Sequence, residues 1–302
     1  MVIISGEILA FLSIISYVLS SAMFRKIETK VSPSQINAFR TTFGALSFII
    51  IGVFLSLYGN LNMYSISLIA LLLVSIIFGQ IIGDTSYFHS QERMGTTMTL
   101  AITTTFPFFT FVLSIIFLDA NIPLEFFISG LLIAIGVLII TFFQDNTEEE
   151  ETATKIELLP VIYAFVASLG WAVGVVLTDL TFNDIGDISG DGTATMTGNL
   201  IRFPFAALIL MMMAYRSPST KVTEWESGTW SWLLIASIIG TSLGVYLYSE
   251  AIRLAGASFV SLIGTSSPLI AIPIAWFMNG EKISKKSLIG IVFILGGVIL
   301  IL

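Results

Sequence analysis

Residues 79–140 and 240–301 are punctuated alike within two apolar stretches. A shift of 161 sets Gly79 on Gly240, Gly83 on Gly244, Gly95 on Gly256, Pro107 on Pro268 and Gly136 on Gly297, with no gap. Glycine and proline govern where helices can approach and where they must break. The match therefore constrains backbone geometry twice over, and a chain built this way folds as two related units.

The setting of the repeat is lipid. The 302 residues are 56% hydrophobic and 11% charged, with a mean hydropathy of +0.96; a soluble domain carries about 25% charge. A water-soluble protein of this size cannot hide so much apolar surface. The net charge of −7 argues against a nucleic-acid partner, which needs a basic face. With no cysteine and one histidine, disulfides, thiolate catalysis and a Cys- or His-based metal site are not expected, and no cofactor is implied. No Lys or Arg precedes the first apolar run, so that run reads as a retained span, not a cleaved leader.

Apolar runs of bilayer length, about 17–25 residues, fall near 4–24, 34–57, 65–88, 96–118, 124–143, 158–179, 195–215, 229–249, 257–278 and 286–302. The expected fold is all-α and polytopic, with ten transmembrane helices. The acidic stretch 145–151 reads as a solvated linker. It divides the chain into a first five-helix repeat at 4–143, a linker at 144–157 and a second repeat at 158–302. Five is odd, so the second repeat must sit upside down relative to the first, and an internal repeat inside a very apolar chain is the mark of a secondary transporter. Asn37-x-x-Arg40 parallels Asn199-x-x-Arg202 at a shift of 162, and the first and sixth runs share a mid-span aromatic, Tyr17 and Trp171.

Loop charge predicts orientation. Arg25, Lys26, Lys30, Arg93, Lys155, Arg216, Lys221, Lys282, Lys285 and Lys286 fall on one side of the ten-run topology, and Arg253 alone on the other. That places both termini outside the cell and the linker in the cytoplasm.

Ionisable groups inside spans are costly and mark functional sites by default. Arg40 lies about 10 Å into its helix from Pro33, and Asp84 about 9 Å from the end of its helix near Ser90, both measured from one membrane face. An Arg40–Asp84 pair is thus possible, with His89 one to two turns nearer the surface. In the second repeat Arg202 takes the place of Arg40, but Val245 takes that of Asp84, which leaves Glu250 as the nearest acid for Arg202. Each arginine reads either as structural or gating, snorkelling to the headgroups or bracing two helices, or as a direct substrate contact. Asp84 and His89 are candidates for coupling to protons.

Pro107 and Pro268 break a backbone bond within their spans and so are candidate hinges. Thr103 and Thr104 run up to the first, and Ser266 to the second; such hydroxyls either line a wet cavity or cap the kink. Tyr17, Tyr87, Trp171 and Tyr246 are candidates for an aromatic pocket. Gly79-x-x-x-Gly83, Gly170-x-x-x-Gly174 and Gly240-x-x-x-Gly244 permit close helix packing.

Leu247-Tyr248-Ser249-Glu250-Ala251-Ile252-Arg253-Leu254-Ala255-Gly256-Ala257-Ser258, followed by Ser267-Pro268-Leu269, Gly280-Glu281-Lys282-Ile283, Gly290 and Gly296-Gly297, resembles the core of EamA-type members of the drug/metabolite transporter superfamily. The likeness covers both repeats. The first departs from it where Asp119-Ala120-Asn121 stands in place of the usual Gly-Glu. The resemblance implies an inverted five-plus-five bundle around a central cavity, lined by the first, third and fourth helices of each half. It implies flux of small metabolites, often amino acids or related compounds, commonly in exchange for protons. It also implies cytoplasmic termini, opposite to the loop charges.

The expected protein is a multi-pass transporter of the cell membrane that moves a small metabolite by alternating access, as a monomer or homodimer, and is not an enzyme. The alternative is an intramembrane enzyme or lipid-handling protein, for which the sequence offers no catalytic constellation.

Overall fold

The computed structural model describes residues 5–24, 26–27, 30–144, 158–189, 193–216, 225–279 and 287–302. The acidic stretch 145–151, most of the linker, the motif 280–283 and the loop lysines Lys221, Lys282, Lys285 and Lys286 lie outside them. The described secondary structure is helical throughout: α1 (Gly6–Phe24), α2 (Pro33–Phe54), α3 (Ile66–Ile76), α4 (Asp84–Thr103), α5 (Phe106–Phe117), α6 (Leu124–Gln144), α7 (Leu158–Ser189), α8 (Thr193–Arg216), α9 (Ser227–Ser237), α10 (Gly244–Thr265), α11 (Pro268–Asn279) and α12 (Ser287–Ile301). Six helical runs are long and apolar enough to cross a membrane, and three more are apolar but shorter.

Local chemistry fixes the ends and breaks. Ser32 opens α2 with a reciprocal capping box: its hydroxyl accepts from the Gln35 backbone N–H, its own N–H donates to the Gln35 side chain, and Pro33 needs no donor partner. Between α3 and α4 the chain makes a π-helical turn at Ile77–Gly83, and between α9 and α10 another at Ile238–Leu243. The two sit at equivalent places in the repeat, each beside its Gly-x-x-x-Gly.

The run from α9 through α10, residues 227–265, would be about 58 Å long if straight, nearly twice a hydrocarbon core. It folds back at Gly256, whose φ of 82° and ψ of 158° belong to glycine alone. Asp179 of α7 accepts a 2.6 Å bond from the Ala257 N–H and so caps the helix that leaves this turn. In the first repeat, Ser90 and Thr99 hydroxyls bond at 3.0 Å although a straight helix would hold them about 13 Å apart, so α4 folds back between them too. The runs predicted at 96–118 and 257–278 are each interrupted: α5 starts after Thr104-Thr105, and α11 after Ser266-Ser267. At both breaks a hydroxyl two residues before the proline donates to the carbonyl three back, Thr105 to Ile102 at 2.8 Å and Ser266 to Ile263 at 2.6 Å. These bonds turn the Ser266 side chain onto its own backbone.

The broadest packings, α6 with α12, α2 with α8, α1 with α10 and α4 with α7, all join one half of the chain to the other. Small residues make them possible. A Cβ on Gly136 or Gly290 would lie 2.5 Å from the other's carbonyl oxygen, and a Cβ on Gly174 would lie 2.9 Å from Gly79 Cα. Where α7 offers Gly170 and Gly174 to the first π turn, α1 offers serines to the second and to the end of α9 before it: Ser16 donates to Ile239 O at 2.5 Å and Ser20 to Ala236 O at 2.9 Å. The main apolar core, including Phe111, Ile133, Ile263 and Ile294, lies between these layers. Outside it, Phe54, Ile66, Tyr215 and Phe277 stand exposed in an apolar surface suited to lipid. At the end of the bundle where α2 and α9 begin, Phe39, Trp225 and Trp230 pack edge-to-face or tilted with centroids 5.1–5.4 Å apart, and Lys26 sits 4.7 Å over Trp232. This is the composition of a membrane–water interface.

Candidate functional site

One cavity of about 340 Å³ opens between the two halves, room for about eleven waters at ~30 Å³ each. Its wall draws on α1, α2, both π turns, α4, α7, α8 and the two proline breaks. Tyr17, Arg40, Asp84, Tyr87, Thr103, Thr104, Trp171 and Arg202 all line it. Each arginine is set by the same local device. Arg40 Nε donates to Asn37 Oδ1 at 3.0 Å, and Arg202 Nε donates to Asn199 Oδ1 at 2.8 Å, three residues back on the same helix face.

Beyond that device the centres differ. Arg40 Nη2 pairs with Asp84 Oδ2, and Trp171 Nε1 donates to Asp84 Oδ1 at 2.8 Å, so both carboxylate oxygens are engaged. Gln80 donates to Asn37 Oδ1 at 3.3 Å and Thr41 at 3.0 Å, tying the π turn to α2. The pair faces the cavity, with side chains 14% and 16% exposed.

Arg202 is 7% exposed and bonds only neutral groups. Nη1 donates to Thr178 at 2.8 Å and Ser75 at 3.5 Å, and Nη2 to Ser249 at 2.8 Å. Phe182 and Phe203 rings lie 5.6 and 5.9 Å from its guanidinium carbon. Among the described residues no carboxylate comes within ion-pairing distance. Glu250, the acid the sequence offered it, pairs with Arg253 one turn along its own helix and accepts from Thr195 at 2.9 Å. The expected Arg202–Glu250 pairing is thus replaced by a local one. Asp84's counterpart, Val245, lines the cavity as an apolar wall.

A family model described as the EamA-like transporter family matches residues 4–142 and again 158–302. The chain belongs to the EamA-like transporter family. A protein of Archaeoglobus fulgidus described as an uncharacterized transporter is 24% identical over 296 residues, 95% of this chain and 94% of that one. A solved crystal structure superposes with a TM-score of 0.74 at 12% identity, over 98% of this chain and 96% of its own, a likeness of fold alone. Membership makes the chain a multi-pass integral membrane protein, and points to transport of a small molecule, not to an enzyme.

In this EamA-like transporter, four predicted residues stand off the cavity. Tyr246 packs against the α2–α8 core, while Tyr248, two residues and about 200° further round the helix, lines the cavity instead. His89 packs its ring 5.7 Å from Tyr163. Glu250 is held as described, and Ser266 is turned onto Ile263 while its neighbours Thr265 and Ser267 line the wall. Pro107 is buried beside the cavity, next to the lining residue Phe106. The sequence reading missed Ser75, Gln80, Thr178 and Tyr248. Gln80 carried a usable signal, an amide inside an apolar Gly-x-x-x-Gly stretch.

Proposed function

We propose that the chain is a secondary transporter that carries a small polar metabolite, an amino acid or related compound, through the central cavity by alternating access. The observation that carries this reading is the cavity itself: both halves wall it, and it holds an arginine from each. Dividing the long helical runs at their folds, and joining α4 to α5 and α10 to α11 across the proline breaks, yields ten crossings in two inverted five-helix repeats. The repeats extend over 4–143 and 158–302. Tyr17, Arg40, Asp84, Tyr87, Thr103, Thr104, Trp171 and Arg202 make the substrate-facing wall. Pro107 and Pro268 act as hinges: a span already broken in its hydrogen-bond ladder bends at little further cost.

The cavity volume, near the lower end of ligand pockets at about 300–1,000 Å³, supports a cargo of amino-acid size. The test is flux in proteoliposomes across a panel of small metabolites, with and without a proton gradient. The reading expects saturable uptake of at least one solute; absence of flux for every solute would overturn it.

A further inference from the structure

We infer that Arg202 is the specificity-determining residue of the cavity, and that it selects cargo carrying one carboxylate and no ammonium. The inference rests on the transport reading for the cavity's use and on the wall's charges for the chemistry, and it narrows the cargo from amino acids to related compounds that lack the ammonium group.

Those charges are few. Among the described lining residues, the ionisable groups are Arg40, Asp84, Arg202 and tyrosines. Arg40 and Asp84 cancel, and both Asp84 oxygens are occupied. Among the described residues Arg202 has no charged partner; it is buried and bonded only to an amide and hydroxyls. A buried guanidinium without a counter-charge is costly, and neutral donors would bind the same hydroxyls as well. A cavity with one unmatched positive charge is complementary to a monoanion. It offers no uncommitted carboxylate to an ammonium, so a zwitterion would leave its cationic end without a charged partner.

The wall also sets the shape. Thr178, which holds Arg202, and Trp171 lie seven residues apart on α7, on one face and about 10 Å along the axis. At the Trp171 end the rings of Tyr87 and Phe106 pack around it, with centroids at 5.4 and 6.0 Å. A cargo with its carboxylate on Arg202 would therefore extend an apolar or aromatic body along α7 to Trp171.

Three compounds with the same benzyl body test this: 3-phenylpropanoate, phenylalanine and 2-phenylethylamine. Binding is read by thermal stabilisation of the full chain in detergent, and transport by flux in proteoliposomes. The expected result is binding and flux of 3-phenylpropanoate, with phenylalanine and the amine weaker by about 10- to 100-fold, the scale of a charged hydrogen bond gained or lost. Arg202→Gln is expected to abolish the preference, and Arg202→Lys to keep part of it. Equal or better binding of phenylalanine or the amine, no binding of the carboxylate, or an unchanged preference in Arg202→Gln would overturn the inference. The wild-type comparison alone decides if the Gln variant does not fold. Arg202-dependent carboxylate binding without any flux would instead leave the anion site standing and sink the transport reading.

Discussion

Removing one charge from each arginine centre gives unequal consequences. Asp84→Asn strips the partner from Arg40, whose guanidinium is only 14% exposed, and leaves it charged. Losing one member of a buried ion pair costs about 3–5 kcal/mol; the cavity can hydrate Arg40 in part, which sets the expectation at the low end, about 3 kcal/mol. That is roughly a hundredfold in the folding equilibrium. Arg202→Gln removes a charge that has no counter-ion among the described residues. It gives up hydrogen bonds to Thr178 and Ser249 but relieves the desolvation of the guanidinium, so the net change is expected within about 1 kcal/mol of wild type. The double variant Arg40→Gln with Asp84→Asn replaces the ion pair by two amides and is expected to recover part of the loss. Stability is measured by unfolding in mixed micelles at increasing SDS fraction, followed by circular dichroism. Arg202→Gln proving as destabilising as Asp84→Asn would refute the claim that Arg202 lacks a charged partner, and a neutral Asp84→Asn would refute the pairing of Arg40.

Further expectations concern the backbone. Gly256→Ala forces a side chain into a conformation glycine alone tolerates and is expected to destabilise by about 1–3 kcal/mol in the same assay. Asp179→Ala removes the cap of the same turn, about 1 kcal/mol, and the two together are expected to be less than additive. Gly136→Val drives a side chain into the Gly290 carbonyl and is expected to cost about 1–3 kcal/mol, whereas Gly296→Ala, with nothing within 4 Å, is expected to be neutral or slightly stabilising. Pro107→Ala and Pro268→Ala restore a backbone donor at each break, and are expected to slow flux in proteoliposomes while leaving cargo affinity unchanged.

Much of the backbone was legible because glycine and proline act through sterics that sequence position alone exposes. Gly79, Gly83, Gly240 and Gly244 reappear at paired π turns, Gly256 at a fold, and Pro107 and Pro268 at paired breaks. The Arg40–Asp84 pair was legible from depth, since two charges at one level in lipid have little else to bond. The side of a helix was harder. Tyr246 and Tyr248 differ by two positions and face a core and a cavity respectively, a choice made by the neighbouring helices. Glu250 is the nearest acid left for Arg202 once Val245 stands in the Asp84 place, but the spacing Glu250-x-x-Arg253 offers Glu250 a nearer partner within its own helix. Ser75 and Thr178 gave no signal, because each hydroxyl donates to a carbonyl of its own helix, as hydroxyls in apolar helices ordinarily do, and accepts from Arg202 besides, which nothing in the run marks.

The central claim is that one cavity serves both sides of the membrane. The chain contains no cysteine, so Thr265→Cys introduces a single, nearly isosteric thiol on the cavity wall. A membrane-impermeant maleimide is applied to oriented vesicles from each face in turn, with Glu226→Cys as the surface control. Loop charge predicts that the control labels from the cytoplasmic face only. Alternating access predicts that Thr265→Cys labels from both faces, and that transported solute protects it. Labelling from one face alone, or from neither, under every solute and gradient condition would contradict the account.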